Sequence, residues 1–308
     1  MTRRAIEPPD AEWPARLREM GPLDPPRQLR LEGLPLDVPD RTVAVVGTRH
    51  PTASGVEITR SMTAGLVEAG FTIVSGLAMG IDSVAHRTAL EVGGYTVAVL
   101  GCGLDIRYPM RNSALRKQIE VSGTVVSEYP DDMKPTPYTF PRRNRIVAGL
   151  SAGIVFVEGG EKSGCKITAR FALDAGRHIF AVPGSLRSAM SVGPNQLIRQ
   201  SEAMLVTGVQ DVIDELAPGL IWQNPLDGTK RVQVAGLDEQ ERSVLTFLEE
   251  QPVRPERVRR ELDMSLGQTA LALARLEARG WVIRRQGGFA LSDAGMRTQS
   301  VLEEVAET

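Results

Sequence analysis

Two stretches decide the fold: Thr42-Val-Ala-Val-Val-Gly-Thr-Arg-His50 and Thr72-Ile-Val-Ser-Gly-Leu-Ala-Met-Gly-Ile-Asp82. Each begins as an apolar run of strand length, breaks at a glycine, and passes into a stretch with helical spacing. Strands apolar on both faces belong to parallel sheets covered by helices on either side. The same alternation continues outward, with strands predicted at Thr96–Leu100, Thr124–Ser127, Ile154–Glu158, Ile179–Val182 and Met204–Val206. Helices are predicted at Ser54–Ala69, Ile81–Val92, Asn112–Val121, Ile167–Ala175, Asn195–Ala203 and Val209–Leu216, three of them stopped by Gly70, Gly93 and Gly176. Residues 41–216 therefore read as an α/β domain.

On its amino-terminal side, residues 1–40 are proline-rich, with Trp13-Pro14 and Pro25-Pro26 interrupting any period. They read as an irregular arm packed on the sheet, with one short helix over Pro14–Met20. On the other side, 217–236 lacks a sustained period and reads as a linker. Beyond it, Asp238 with Glu241 and Ser265 with Gln268 each match a capping box before an apolar helical run. A helix over Pro255–Leu262 fits between them, and Trp281–Arg285, Gly287-Gly288 and Phe289–Leu291 read as a hairpin. Three helices and a wing over 237–292 make a winged helix, followed by a tail at 293–308.

The 308 residues suffice for two domains, and 42% hydrophobic with 24% charged residues describes a globular chain. No window holds the roughly 18 uninterrupted apolar residues of a spanning helix, and the amino terminus lacks the apolar core of a secretory signal, so a cytoplasmic location away from membranes is expected. Thirty-six basic against 38 acidic residues leave a net charge of −2, so any site for a polyanion must be local. Cys102 and Cys165 cannot build a metal cage and read as reduced.

Several loops could form such a local site. Gly47-Thr48-Arg49, then Ser54-Gly55 at a helix start, has the make-up of a phosphate cradle or of a plain tight turn. Ser75-Gly76-Leu77-Ala78 and Gly80 repeat the arrangement after the next strand, and loops of this kind meet beyond the carboxyl ends of a parallel sheet. The cluster Phe140-Pro-Arg142-Arg143-Asn144-Arg145, ending at Gly149, can bring guanidinium groups to the same groove, although Arg145 could equally pair with a carboxylate such as Glu158 or Asp82. Phe140 and Tyr138 could stack on bases or pack under the loop. Gly159 to Arg170 is another glycine loop opening a helix, with Lys166 beside it. Gly101-Cys102-Gly103 lacks the third glycine of a dinucleotide fingerprint, since Ile106 stands there, and the Walker, zinc-protease and nucleophile-elbow motifs are missing. His86 reads as a packed residue and His178 as solvent-facing. No catalytic residue, metal or cofactor is expected.

Taken together, Val46–Arg49, Ser75–Asp82 with Ala85-His86, Tyr108-Pro109 with Asn112, Ser127-Glu128, Phe140–Ile146, Gly149–Ser151, Gly176–Gly184 and Asn195–Arg199 resemble the DNA-processing protein A family, DprA or Smf. The resemblance runs along essentially the whole chain, without the amino-terminal helical domain that many members carry. It implies an extended Rossmann domain that binds single-stranded DNA without sequence preference, forms homodimers and loads the RecA recombinase in natural transformation, and is not an enzyme. It also implies a phosphate groove lined by Arg49, Ser75, Gly76, Gly80, Arg143, Asn144, Arg145 and Gly149, and a dimer contact near Val209–Leu216. Met110 and Lys166 depart from the usual pattern.

Two rival readings lack residues they would need. A LOG-type nucleotide phosphoribohydrolase would need P-G-G-x-G-T-x-x-E, where this chain has Val157-Glu-Gly-Gly-Glu-Lys-Ser-Gly164. A duplex-reading winged helix would need positive charge, but 237–292 holds nine arginines and nine acidic residues.

Overall fold

The computed structural model describes residues 3–161, 164–220, 237–249, 251–279, 281–285, 287–292, 295, 296 and 299, with the side chains of Cys165 and Lys166 outside that description. Residues 1–222 and 223–308 form two compact units. In the first, strands β1 (Arg3–Ile6), β2 (Leu29–Gly33), β3 (Thr42–Val46), β4 (Thr72–Ser75), β5 (Thr96–Val99), β6 (Thr124–Ser127), β7 (Gly153–Phe156), β8 (His178–Ala181) and β9 (Met204–Leu205) build one sheet. Their order is β1-β2-β6-β5-β4-β3-β7-β8-β9. The seven strands from β6 to β9 are parallel, while β2 runs antiparallel to β6 and β1 antiparallel to β2.

Every residue of β3 is buried, and its side chains alternate between two cores. Ala44 and Val46 join Val74, Val99, Ile154 and Phe156 on one face. Val43 and Val45 join Ile73, Val155 and Phe180 on the other. The first face is covered by α1 (Ala15–Arg18), α5 (Thr139–Leu150), α6 (Cys165–Asp174) and α7 (Val192–Arg199), through Leu17, Ile146, Ala169 and Leu197. The second is covered by α2 (Ala53–Glu68), α3 (Ile81–Glu91) and α8 (Val209–Leu216), through Met62, Leu66, Ala85 and Ile213. Helix α4 (Ser113–Ser122) closes a further cluster over Ala98 and Val125.

The arm differs from its expected irregular form. Besides the short helix α1, it contributes both antiparallel strands, tied down by a buried ion cluster. Arg116 bonds Glu32 and Glu120, each at 2.8 Å, and the carbonyls of Leu104 and Ile106. β1 escapes notice in the sequence because it is an edge strand on which Ile6 alone is fully buried. Helix α5 is also absent from the predicted elements. Its Pro141 sits in the first turn, where backbone amides have no intrahelical partner to lose.

In the second unit, α9 (Glu239–Phe247), α10 (Pro255–Glu261) and α11 (Leu266–Ala278) precede the hairpin β10 (Val282–Arg285) and β11 (Gly288–Leu291), a winged-helix arrangement. Both capping boxes form: Asp238 Oδ1 accepts from Glu241 N at 2.7 Å, and Gln268 Oε1 accepts from Ser265 N at 2.8 Å. The expected linker lies mostly outside the described residues, and so does nearly all of the tail.

Between α3 and the sheet, fully buried His86 meets Thr96 Oγ1 through Nδ1 at 2.8 Å, and that hydroxyl donates to Ile73 O. Burial, aided by nearby Arg143, pushes the imidazole from 6.5 down to about 3. The folded protein therefore keeps His86 neutral at pH values where the unfolded chain takes up a proton, so stability declines as pH falls from the ordinary histidine value toward 3. Urea titrations at pH 7 and 5.5 should show a loss of roughly 1 kcal/mol. The loss should largely vanish in His86→Gln.

Candidate nucleic-acid interface

The strand order reverses between β3 and β7, and the ends of strands at such a switch point leave a crevice. Here it is a groove of about 810 Å³, walled by Gly47–His50 after β3, Gly76 and Ala78 after β4, Gly160 and Gly164 after β7, and one side of α5. The three turns are laced together through the backbone. Thr48 N donates to Glu158 O at 2.7 Å, and Ile81 N donates to Thr48 O at 3.1 Å. Gly80 makes this approach possible. Its φ of +84° and the Thr48 carbonyl, 2.2 Å from where a Cβ would stand, exclude a side chain.

Helical periodicity sorts the cluster on α5. Phe140, Arg143, Asn144 and Val147 face the groove at spacings of three and four residues. Arg142 and Arg145 turn away from it. Arg145 is buried and bonds Glu128, and Arg142 lies 3.5 Å from Asp24 and 3.7 Å from Glu128. Arg145 is thus an ion-pair residue, with Glu128 rather than Glu158 or Asp82 as its partner.

Arg143 lies beneath the groove. Its Nη1 donates to the carbonyls of Gly76 and Val99, and its Nε donates to Asn144 Oδ1 at 3.0 Å. A Cβ on Gly76 would stand 2.4 Å from Nη2, so glycine is required there. Burial pushes Arg143 below its ordinary value while Asp82 opposes the shift, and burial likewise raises Asp82 against the pull of Arg143. Asp82 Oδ2 accepts from Gly76 N at 3.1 Å and Ala78 N at 3.4 Å.

Arg49 is different. It is exposed, its guanidinium lies 5.5 Å from the Phe140 ring centroid, and among the described residues it makes no salt bridge. Phe140 in turn meets Tyr108 at 5.4 Å between centroids. Tyr108 lines the groove and was not among the expected site residues; its signal was the Tyr-Pro pair after the third predicted strand. Tyr138, 85% exposed, is not part of the wall.

Other expected site residues lie elsewhere. Ser75 Oγ is buried and donates to Val45 O at 2.7 Å. Leu77 takes a φ of +53° and buries its side chain under the turn. Gly149 packs against Leu17 and Met20 of the arm, where its lack of a Cβ gives room to their side chains. Ser54 and Gly55 lie in the first turn of α2, which Thr52 caps by accepting from Gly55 N at 3.0 Å, and Glu158 holds that cap: Oε2 accepts from Thr52 N at 2.9 Å and Oε1 from Thr52 Oγ1 at 2.6 Å. Of the amides in these loops, those of Gly76, Ala78 and Thr52 are thus held by carboxylates. The Lys166 side chain lies outside the described residues. No group of three or more His, Cys, Asp or Glu among the described residues could hold a metal.

The model of the family described as DNA recombination-mediator protein A matches residues 4–217, and that of the DprA winged helix domain matches 229–288. The chain belongs to the DNA recombination-mediator protein A family. It is 43% identical over 217 residues to Protein Smf of Escherichia coli, covering 70% of this chain and 57% of that protein. It is 41% identical over 194 residues to DNA processing protein DprA of Bacillus subtilis, covering 63% and 65%. The chain thus spans somewhat under two thirds of these relatives. Among solved structures, DprA of Streptococcus pneumoniae superposes with a TM-score of 0.65 at 40% identity, over 69% of this chain and 74% of that one. DprA of Helicobacter pylori, described for its single-stranded DNA binding mode, gives 0.64 at 30%, over 72% and 98%.

Removing Arg143 leaves the Gly76 and Val99 carbonyls unpaired and Asp82 without its counter-charge. Arg143→Ala should lose about 3 kcal/mol in urea unfolding. Arg143→Lys should restore only part of it, because a single ammonium cannot bond both carbonyls and also replace the Nε bond to Asn144 Oδ1. Arg49→Ala should leave the unfolding midpoint in place.

Proposed function

We propose that this protein binds single-stranded DNA without regard to sequence in the groove at the switch point, and acts as a mediator that loads RecA in DNA processing and transformation. The observation that carries the reading is Arg49, an exposed guanidinium without a salt bridge among the described residues, set against Phe140 at an open trough. A phosphate beside an aromatic face is the contact pair that single strands offer at every nucleotide. Asn144 and the hydroxyl of Thr48 supply further neutral donors along the wall. Nothing in this set reads a base edge by a fixed donor pattern, which fits binding without sequence preference.

The family and the names of its relatives support the wider role. RecA as a partner, a homodimer using the segment around Val209–Leu216, and a cytoplasmic location follow from the same reading. Among the described residues, no helix is long and apolar enough to cross a membrane. A non-enzymatic role is supported by how the acids near the groove are used: Asp82 is held by two amides, and Glu158 holds the Thr52 cap of α2. Neither is poised as the acid of a nucleotide hydrolase. For the winged helix an accessory or partner-binding role is proposed, since Leu266 and Leu271 are exposed on α11 where a duplex reader would present cations.

Fluorescence anisotropy with labelled oligonucleotides of mixed, dT-only and duplex form tests the reading. Single strands should bind more tightly than the duplex, with affinity falling steeply as salt rises. Arg49→Ala should weaken all single strands alike and flatten the slope of log affinity against log salt by about 0.7, the share of one phosphate contact. Equal affinity and slope in a normally folded variant would place the DNA elsewhere.

A further inference from the structure

Residues 237–292 hold as many acids as arginines, but the two are not evenly mixed. Asp238 pairs with Arg275 at 3.0 Å, Glu261 with Arg260 at 3.2 Å and Glu277 with Arg284 at 3.7 Å, and Glu241 lies 3.7 Å from Arg279 and 3.9 Å from Arg275. Arg254 and Arg285 are exposed and make no salt bridge among the described residues. The fold sets these two in one row. Val253 and Phe289 exchange backbone bonds of 2.8 and 2.9 Å, which lays the chain before α10 against the outer edge of β11. One step along that register Arg254 stands opposite Gly288, and Gly288 stands opposite Arg285. The two arginines are thus two strand spacings apart, about 10 Å, on either side of a glycine. No side chain fits between them: Gly288 has a φ of +150°, and a Cβ there would stand 2.1 Å from the Val253 carbonyl oxygen. Glu256, the nearest acid in sequence, lies two positions beyond Arg254, a spacing that does not share a helix face.

We propose that Arg254 and Arg285, flanking Gly288, form a phosphate clamp by which the winged helix holds the backbone of duplex DNA without reading its sequence. Cations over bare backbone suit a polyanion, whereas a protein partner would need an apolar anchor in a pocket. A single strand would need aromatic faces on which to stack. Here those faces are covered: the Arg284 guanidinium lies 4.9 Å from the Phe289 centroid, that of Arg279 lies 5.3 Å from the Trp281 ring, and both rings are buried. A duplex keeps its bases stacked inside and offers its phosphates. On α11 the exposed face runs through Gly267, Ala270, Leu271 and Ala274, none of which can hydrogen-bond a base edge through its side chain. The clamp does not rest on the groove of the first unit. It gives the chain two nucleic-acid sites of different preference, and it shows how a unit of zero net charge can present a local cationic edge.

The test is fluorescence anisotropy of the full chain with a short, blunt-ended labelled duplex at low salt and as salt is raised. Arg254→Ala/Arg285→Ala should bind the duplex about tenfold more weakly, and the slope of log affinity against log salt should flatten by about 1.8, the share of two duplex phosphate contacts. Arg254→Lys/Arg285→Lys keeps both charges and should retain most of the slope. Short dT strands should bind the double alanine variant as they bind the wild type, and Arg49→Ala should leave duplex affinity in place. A wild type that does not bind duplex at low salt would overturn the proposal, as would a double alanine variant of unchanged urea midpoint that keeps wild-type duplex affinity and slope. Duplex binding lost in Arg49→Ala instead would assign it to the groove. Competition by polyglutamate as strong as by unlabelled duplex would mark the row as a site for an acidic protein, and would equally overturn the clamp. Absence of dT binding by the wild type would defeat the single-strand reading and leave the duplex comparison intact.

Discussion

The groove depends on one buried guanidinium. Arg143 reaches from α5 to the carbonyls of Gly76 and Val99, at the ends of β4 and β5, and is coupled to Asp82 at the start of α3. Carbonyls at the carboxyl ends of parallel strands have no further partner in the ladder, and burying them unpaired is costly. One guanidinium nitrogen satisfies two of them and fixes the helix that forms the opposite wall. The Gly76 turn is shaped by the same contact, since no side chain fits between it and the guanidinium. The most central arginine of the basic cluster is thus part of the frame, and Arg49 is left as the described cation free to meet a ligand at the groove.

Much of this was legible in the sequence. The parallel strands announced themselves because burial on both faces demands unbroken apolar runs, and glycine stops marked the helix ends. The winged helix showed in its capping boxes, where two residues three apart satisfy each other's amides. Less visible were elements whose stability comes from elsewhere. β1 is charged, and it holds to the sheet through its ladder with β2 and an Arg3 bond to Glu32 at 3.1 Å. Helix α5 was hidden by Pro141 and by its run of charge.

The site was legible as a set of loops rather than as a set of side chains. Arg142, Arg143 and Arg145 look alike in sequence, and the helical turn of about 100° per residue gives them different fates: solvent and Asp24, the carbonyls beneath the groove, and Glu128. Had α5 been recognised, its period would have separated Phe140, Arg143, Asn144 and Val147 from the rest. Which amides were already taken could not be read at all, because Glu158 reaches Thr52 across 106 positions of chain.

That last point changes the chemistry expected of the groove. A cradle of amides binds a phosphate at one fixed place and rewards terminal phosphates, which carry more charge and are open on more sides than a phosphodiester. Side chains on a rim behave differently. An exposed guanidinium over an aromatic ring can follow a sugar-phosphate chain through several positions at similar energy, so affinity accumulates with strand length rather than at a single phosphate. Such contacts are screened within about 10 Å at 0.1 M salt, which permits release as well as capture. With the Gly76 and Ala78 amides held by Asp82 and Arg49 exposed over Phe140, the groove of this chain is of the second kind.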